Sequence, residues 1–196
     1  RGSHVFRARA IASDGRSSHT QPQKVWVSGP FHAGVNLNGP SVTVDGVTLQ
    51  SQIEAESAGF TASNTQALSG GGNTPVYPSP DGATTQVLTD QFQRVGTNAA
   101  VTMGFEYPVP NGHYDIYLFI IEDQIGYSRD MRFSMENQLV ASGIGSLALD
   151  EWHKYGPYRA VVTDGALNLG LLRDTKGTPK IAAFSIYQGI APLSFA

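Results

Sequence analysis

"PNGHYDIYLFIIEDQIGYSRD", residues 110–130, decides the fold. Asn111-Gly112 tolerates positive φ at low cost and reads as a hairpin turn. The strand that follows puts Tyr114, Ile116, Leu118 and Ile120 on one face and Tyr117, Phe119 and Ile121 on the other. A strand apolar on both sides is expected to be covered on both, or central with long aromatics capping its outer side. It then breaks, without a Gly-Pro stop, into a polar loop carrying Glu122, Asp123, Tyr127 and Arg129. Loops leave a sandwich at its ends, where binding residues concentrate. The break is where the chain surfaces.

The same punctuation runs along the chain: Asp14-Gly15, Asn38-Gly39, Asp45-Gly46, Asp81-Gly82 and Asp164-Gly165 all read as turns. Between them lie strand-like runs at 34–37, 42–49, 99–107, 113–122, 131–135, 138–142, 158–163, 166–172 and 180–187. No amphipathic helical window of useful length interrupts them. The expected architecture is an all-β antiparallel β-sandwich. Composition agrees: of 196 residues, 15% are charged and 40% hydrophobic, with 22 Gly and 11 Pro, the profile of a turn-rich globular domain with a real core. A net charge of −3 supplies no basic footprint for nucleic acid, and no apolar run reaches the length of a membrane span. With no cysteine, disulfides, thiolate metal sites and thiol catalysis are excluded together.

The ends read differently. Arg1–His4 look like the remnant of a purification tag, and residues 189–196 like the start of a linker. Residues 5–29 alternate Phe6, Ala8, Ala10 and Ala12 against Arg7 and Arg9, turn, and return through Val25 and Val27. They resemble the terminal hairpin of a bacterial immunoglobulin-like domain. Two strands alone bury no core, so they either extend the main sandwich (residues 30–188) at its edge or belong to a covalently linked neighbour. The Gly-rich stretch 68–86 is the longest without strand character, a length at which loops are often functional.

Catalytic constellations are not signalled. Glu122-Asp123 and Asp150-Glu151 are adjacent in sequence, which splits each pair to opposite faces, unlike a glycosidase acid/base pair. His19, His32, His113 and His153 have no zinc spacing. No serine-nucleophile motif is present, and "GIGSLA" (143–148) lacks the helix that a dinucleotide loop requires. Glu54 and Glu56 are read on one strand face, a spacing that can offer oxygens to calcium; the plain alternative is two solvent-facing acids. At most one structural calcium, and no other cofactor, is expected.

Aromatic residues carry the binding signal. Tyr77, Phe92, Tyr127, Trp152, Tyr155 and Tyr158 lie in or near polar or Gly/Pro-flanked segments. An exposed ring beside carboxylate, amide or guanidinium groups suits a sugar, whose C–H face stacks while its hydroxyls are bonded. About half of the six are expected to be core caps instead.

Several stretches, in order, resemble the malectin-like family. "VNLNGPSVTVDGVTL" (35–49) is similar to its opening, "FEYPVPNGHYDIYLFIIE" (105–122) to its central hairpin, and "VTDGALNLGLL" (162–172) with "TPKIAAFSIYQG" (178–189) to its close. The resemblance, spanning residues 34–188, implies a jelly-roll β-sandwich that binds carbohydrate at loops on one end. Three positions depart from the family pattern there: Val95, Asp123-Gln124 and Gly177-Thr178-Pro179. The expected function is therefore a non-catalytic carbohydrate-binding module of a secreted or cell-surface multidomain bacterial protein, with no particular glycan implied. The alternative is a spacer that keeps the fold without a sugar site. Loops 68–82, 90–96, 122–130 and 150–156 are expected to converge on a polysaccharide or oligosaccharide. Tyr127 and Trp152 would stack on it, Phe92 and Tyr77 lie nearby, and Glu122, Asp123, Arg129 and Arg94 would bond hydroxyls or acidic substituents.

Overall fold

The computed structural model describes the backbone of residues 2–6, 9–11, 17–19, 23–69, 91–95 and 102–189, and the side chains of 28–68 and 102–189. Tyr77, the turns Asp14-Gly15 and Asp81-Gly82, most of the Gly-rich stretch and residues 190–196 lie outside that description.

Five short segments come first: β1 (Gly2–Phe6), β2 (Arg9–Ile11), β3 (Ser17–His19), β4 (Gln23–Val27) and β5 (Phe31–Asn36). β1 pairs with β4 and β2 with β3 as separate two-stranded ladders. Gly2, Ser3 and His4 are thus part of a strand. After β5 come β6 (Val42–Val44), β7 (Val47–Ser51), helix α1 (Gln52–Ser57), β8 (Thr61–Ser63), β9 (Thr65–Ser69), β10 (Gln91–Val95) and β11 (Met103–Pro108). Then follow β12 (Gly112–Ile121), β13 (Asp130–Met135), β14 (Gln138–Ile144), β15 (Trp152–Val162), β16 (Ala166–Lys176), β17 (Lys180–Ile181) and β18 (Ala183–Gln188).

The fold is an all-β sandwich. A six-stranded sheet, β15-β12-β18-β5-β7-β6, faces a five-stranded sheet, β14-β13-β16-β11-β8, and a three-stranded ladder, β17-β10-β9, lies beside them. Among the described residues all strand pairings are antiparallel except β5 with β7. Register fixes the core in rows. Leu118, Phe184 and Val35 align across the first sheet, while Phe105, Leu169 and Met135 align across the second. All are buried in one cluster, and Phe60, Phe105, Tyr107 and Phe184 form its aromatic centre.

Strand β12 behaves as its composition demands. Tyr114, Ile116, Leu118 and Ile120 enter this main core. On the other face, Phe119 and Ile121 enter a second cluster with Val42, Val44, Leu49, Ala182 and Ala183. Covering an internal strand on both faces requires material beyond the partner sheet, and the β6–β7 hairpin supplies it. That hairpin turns at Asp45-Gly46, with φ of 53° and 75°, the mirror-image geometry that Asp-Gly accepts.

Two local readings need correction. Glu54 and Glu56 lie on α1, not on a strand. Ser51 caps this helix and Glu54 closes a capping box, satisfying orphan N–H groups at both positions. The spacing Ser51-x-x-Glu54 was the signal for it. Second, Asn111 does not take positive φ; its side chain bridges the next turn, donating to the Thr163 carbonyl at 2.9 Å and accepting from Gly165 N–H at 2.9 Å. The β13–β14 hairpin turns where the strand runs 131–135 and 138–142 leave room for it, at Glu136-Asn137 with φ 49° and 60° and without a glycine.

Candidate functional site

The end of β12 is held by charge. Glu122 is fully buried and Arg129 is 5% exposed, with Arg129 Nε 2.9 Å from Glu122 Oε2. The same carboxylate folds the loop over itself: Oε1 accepts the backbone N–H groups of Gln124 and Ile125 at 3.1 and 3.4 Å, and Oε2 the Ser128 hydroxyl at 2.9 Å. The terminal guanidinium nitrogens donate to the Thr178 carbonyl at 2.6 Å and to Gln124 Oε1 at 3.0 Å, while Nε meets Glu122 as an ion pair without a hydrogen bond. Beside this pair the Lys180 ammonium, itself buried, donates to Asp123. Desolvation holds the Lys180 amine below its ordinary value, opposed by the Asp123 carboxylate. Buried ions are tolerated only when paired and hydrogen-bonded, and this set meets that condition.

This arrangement changes the role of three residues. Glu122, Asp123 and Arg129 were expected to reach a ligand; they are committed to one another, to Lys180 and to the loop backbone. An acid, an acid and a base follow a core strand because the chain needs a rigid exit from the sheet. From the sequence alone, a buried ion pair and a ligand clamp use the same residue types. Lys180, which completes the set, was not singled out, although "TPK" lay within the stretch that resembles the family's close.

The loop presents two large hydrophobic side chains to solvent. Tyr127 is 62% exposed and Ile125 69%. Tyr127 takes φ of 56°, a conformation that costs a bulky residue energy and persists only where the surroundings fix it. Its N–H donates to the Leu147 carbonyl at 2.6 Å, while Glu122 N–H donates to Glu151 O at 2.9 Å and Asp150 N–H to Glu122 O at 2.6 Å. The 122–128 and 147–151 segments thus run against each other. At Gly126 an added Cβ would stand 2.8 Å from Leu149 N, so their close approach requires the glycine. Leu149, half exposed, lies beside it.

Trp152 is half-buried rather than free. It opens β15 opposite Ile121 and stacks on Phe119 with ring centroids 6.4 Å apart and an interplanar angle of 18°. Tyr155 and Tyr158 pack against the main core, and burial raises both phenols; Tyr155 also accepts the Gly145 N–H at 3.1 Å. These two are core caps. The Phe92 and Arg94 side chains lie outside the described residues, but their backbone pairs with Leu68 and Lys180 respectively. The β10 backbone is thereby brought alongside the charged cluster.

The other acids have local work. Glu54 Oε2 accepts from the Ser41 hydroxyl at 2.5 Å, Ser51 N–H at 2.8 Å and the Ser51 hydroxyl at 2.8 Å. Those bonds, that of Ser41 foremost, lower the Glu54 carboxyl from its ordinary value. Glu56 accepts from Gln52 Nε2 at 2.7 Å. Among the described residues, no group of three or more His, Cys, Asp or Glu is placed to hold a metal ion, and no helix is long and apolar enough to cross a membrane.

No protein-family model matches the chain, and no curated protein matches it. Solved structures share its fold. The extracellular domain of ANXUR2 from Arabidopsis thaliana superposes with a TM-score of 0.65 at 12% identity, covering 96% of this chain and 55% of that one. A Bacteroides uniformis β-glucuronidase gives 0.60 at 11% identity, over 96% of this chain and 22% of the enzyme. A chain from the complex of the plant peptide RALF23 with FER and LLG2 gives 0.60 at 13%, over 83% and 49%. This chain therefore spans about half of the two plant chains and under a quarter of the glucuronidase. At such identities the likeness is one of fold.

Proposed function

We propose that the domain is a malectin-like, non-catalytic carbohydrate-binding module of a secreted or cell-surface multidomain protein. The observation that carries this reading is Tyr127: an aromatic ring left open to solvent on a loop that a buried ion pair and a strained backbone hold in one conformation. Preorganisation of this kind reduces the ordering cost that limits weak, shallow sites. A sugar ring would stack on Tyr127, with Ile125 and Leu149 extending the apolar surface and backbone groups of 123–128 and 147–150 meeting hydroxyls. The extracellular neighbours support a binding module outside the cell, and the small fraction of the glucuronidase that aligns supports an accessory rather than a catalytic part.

Affinity electrophoresis of the chain against plant, algal and microbial polysaccharides tests the reading. Retardation in at least one gel that is relieved by Tyr127→Ala is the expected result. The burial of Glu122, Asp123 and Arg129 favours a second reading, a spacer or adhesion module that keeps the fold and binds no sugar. Unretarded migration in every gel, by a folded protein, would establish it.

A further inference from the structure

A second polar site lies on the outer face of the five-stranded sheet. There the residues that point away from the core form a row across four strands, Ser63 on β8, Gly104 on β11, Gly170 on β16 and Ser134 on β13, each opposite the next in register. Parallel to it runs a taller row, Thr61, Glu106 and Asn168. With Thr102 and Asn137 these residues bound an open groove of about 500 Å³. Three inter-strand steps make it about 14 Å long, across the strands. Side chains at the two glycines would close it: a Cβ on Gly104 would meet Ser63 Oγ at 2.7 Å, and one on Gly170 would meet Ser134 Oγ at 2.5 Å and Thr102 Cγ2 at 3.0 Å.

We propose that this groove binds a neutral oligosaccharide chain laid across the strands, as a second subsite of the module; the inference rests on the carbohydrate reading above. The lining offers hydroxyls, two amides and one carboxylate, groups that match sugar hydroxyls as donors and acceptors. No Lys or Arg lines it, so uronic or sulfated chains would meet no countercharge. A peptide fits less well. The floor strands β11 and β16 are internal with their backbone groups committed to neighbours, so the floor offers no free ladder for strand addition. The two apolar residues that line it, Phe105 and Leu169, are buried in the main core. Without an exposed ring the affinity belongs in the range of about millimolar.

The test is a ¹⁵N–¹H titration of the whole chain with neutral β-glucan, xylan and mannan oligosaccharides, with oligogalacturonate and an unstructured peptide as comparators. At least one neutral oligosaccharide should saturably shift the amides of Gly104, Ser134 and Gly170. Ser63→Tyr, on an exposed edge, should fill the groove and raise that Kd at least about tenfold, and Glu106→Ala about threefold. Tyr127→Ala should leave the groove Kd unchanged. Shifts confined to residues 125–128 and 147–151 would overturn the groove and leave the loop reading standing; no shifts anywhere would overturn both. Unaltered binding in folded Ser63→Tyr, or stronger shifts of the groove amides with oligogalacturonate or peptide, would also overturn the inference.

Discussion

Arg129→Ala asks whether the charges after β12 build the scaffold or meet a ligand. The Arg129 and Glu122 side chains are 7% and 0% exposed, so solvent screens their pairing little. Removing one partner of a buried pair costs about 3–5 kcal/mol. Glu122 would keep three donors, from Gln124, Ile125 and Ser128; hydrogen bonds to a charged group contribute about 1.5–3 kcal/mol each. They offset part of the loss, which places the expected cost at the lower end, about 3 kcal/mol. For a domain of this length that lowers Tm by about 6–12 °C, measurable by calorimetry and by a shifted urea midpoint at constant m. The apolar replacement Glu122→Leu with Arg129→Met should recover little of it, because it also takes the acceptor from the Gln124 and Ile125 N–H groups and the Ser128 hydroxyl. A folded Arg129→Ala protein within about 0.5 kcal/mol of the wild type that has lost glycan affinity would refute the reasoning and return Arg129 to the ligand site.

Trp152→Ala should destabilise the fold by about 2 kcal/mol, roughly half the cost for a fully buried aromatic, because the ring is half-buried on Phe119; a stability curve identical to wild type would make Trp152 a free binding residue. Gly126→Ala should cost about 1–3 kcal/mol by forcing the 122–128 and 147–151 segments apart, read as a lower Tm with increased amide exchange at Tyr127. Glu54→Gln probes pH. The folded Glu54 carboxyl lies below its ordinary value of 4.5, so its contribution is present above that value and disappears as pH falls through the lower folded one. The Tm gap between wild type and Glu54→Gln should therefore be full at neutral pH and close in acid; a gap constant with pH would remove the Glu54 carboxylate as its source.

The sandwich was legible because burial writes itself into period and composition. β12, apolar on both faces, could only be internal, and Asp45-Gly46 could only turn. What the sequence concealed has physical causes. Helix α1 is one and a half turns long, too short for an amphipathic period to show, and only its capping box betrays it. The N-terminal half of β15, from Trp152 to Gly156, reads as loop because its polar residues cover the outer face of the sheet. At the site, residue type alone could not separate a clamp for ligand from an internal ion pair, because the distinction is burial. Tyr127 and Trp152 looked alike in sequence, and the structure gives one to solvent and the other largely to Phe119.

The central claim is that Tyr127 is a preorganised stacking surface for sugar. Isothermal titration of wild type and Tyr127→Ala with whichever polysaccharide retards the chain tests it directly. The account predicts a loss of at least about 1 kcal/mol of binding free energy with an unchanged Tm. Equal affinities in the two proteins, or a fall in Tm that accompanies the loss, would contradict it.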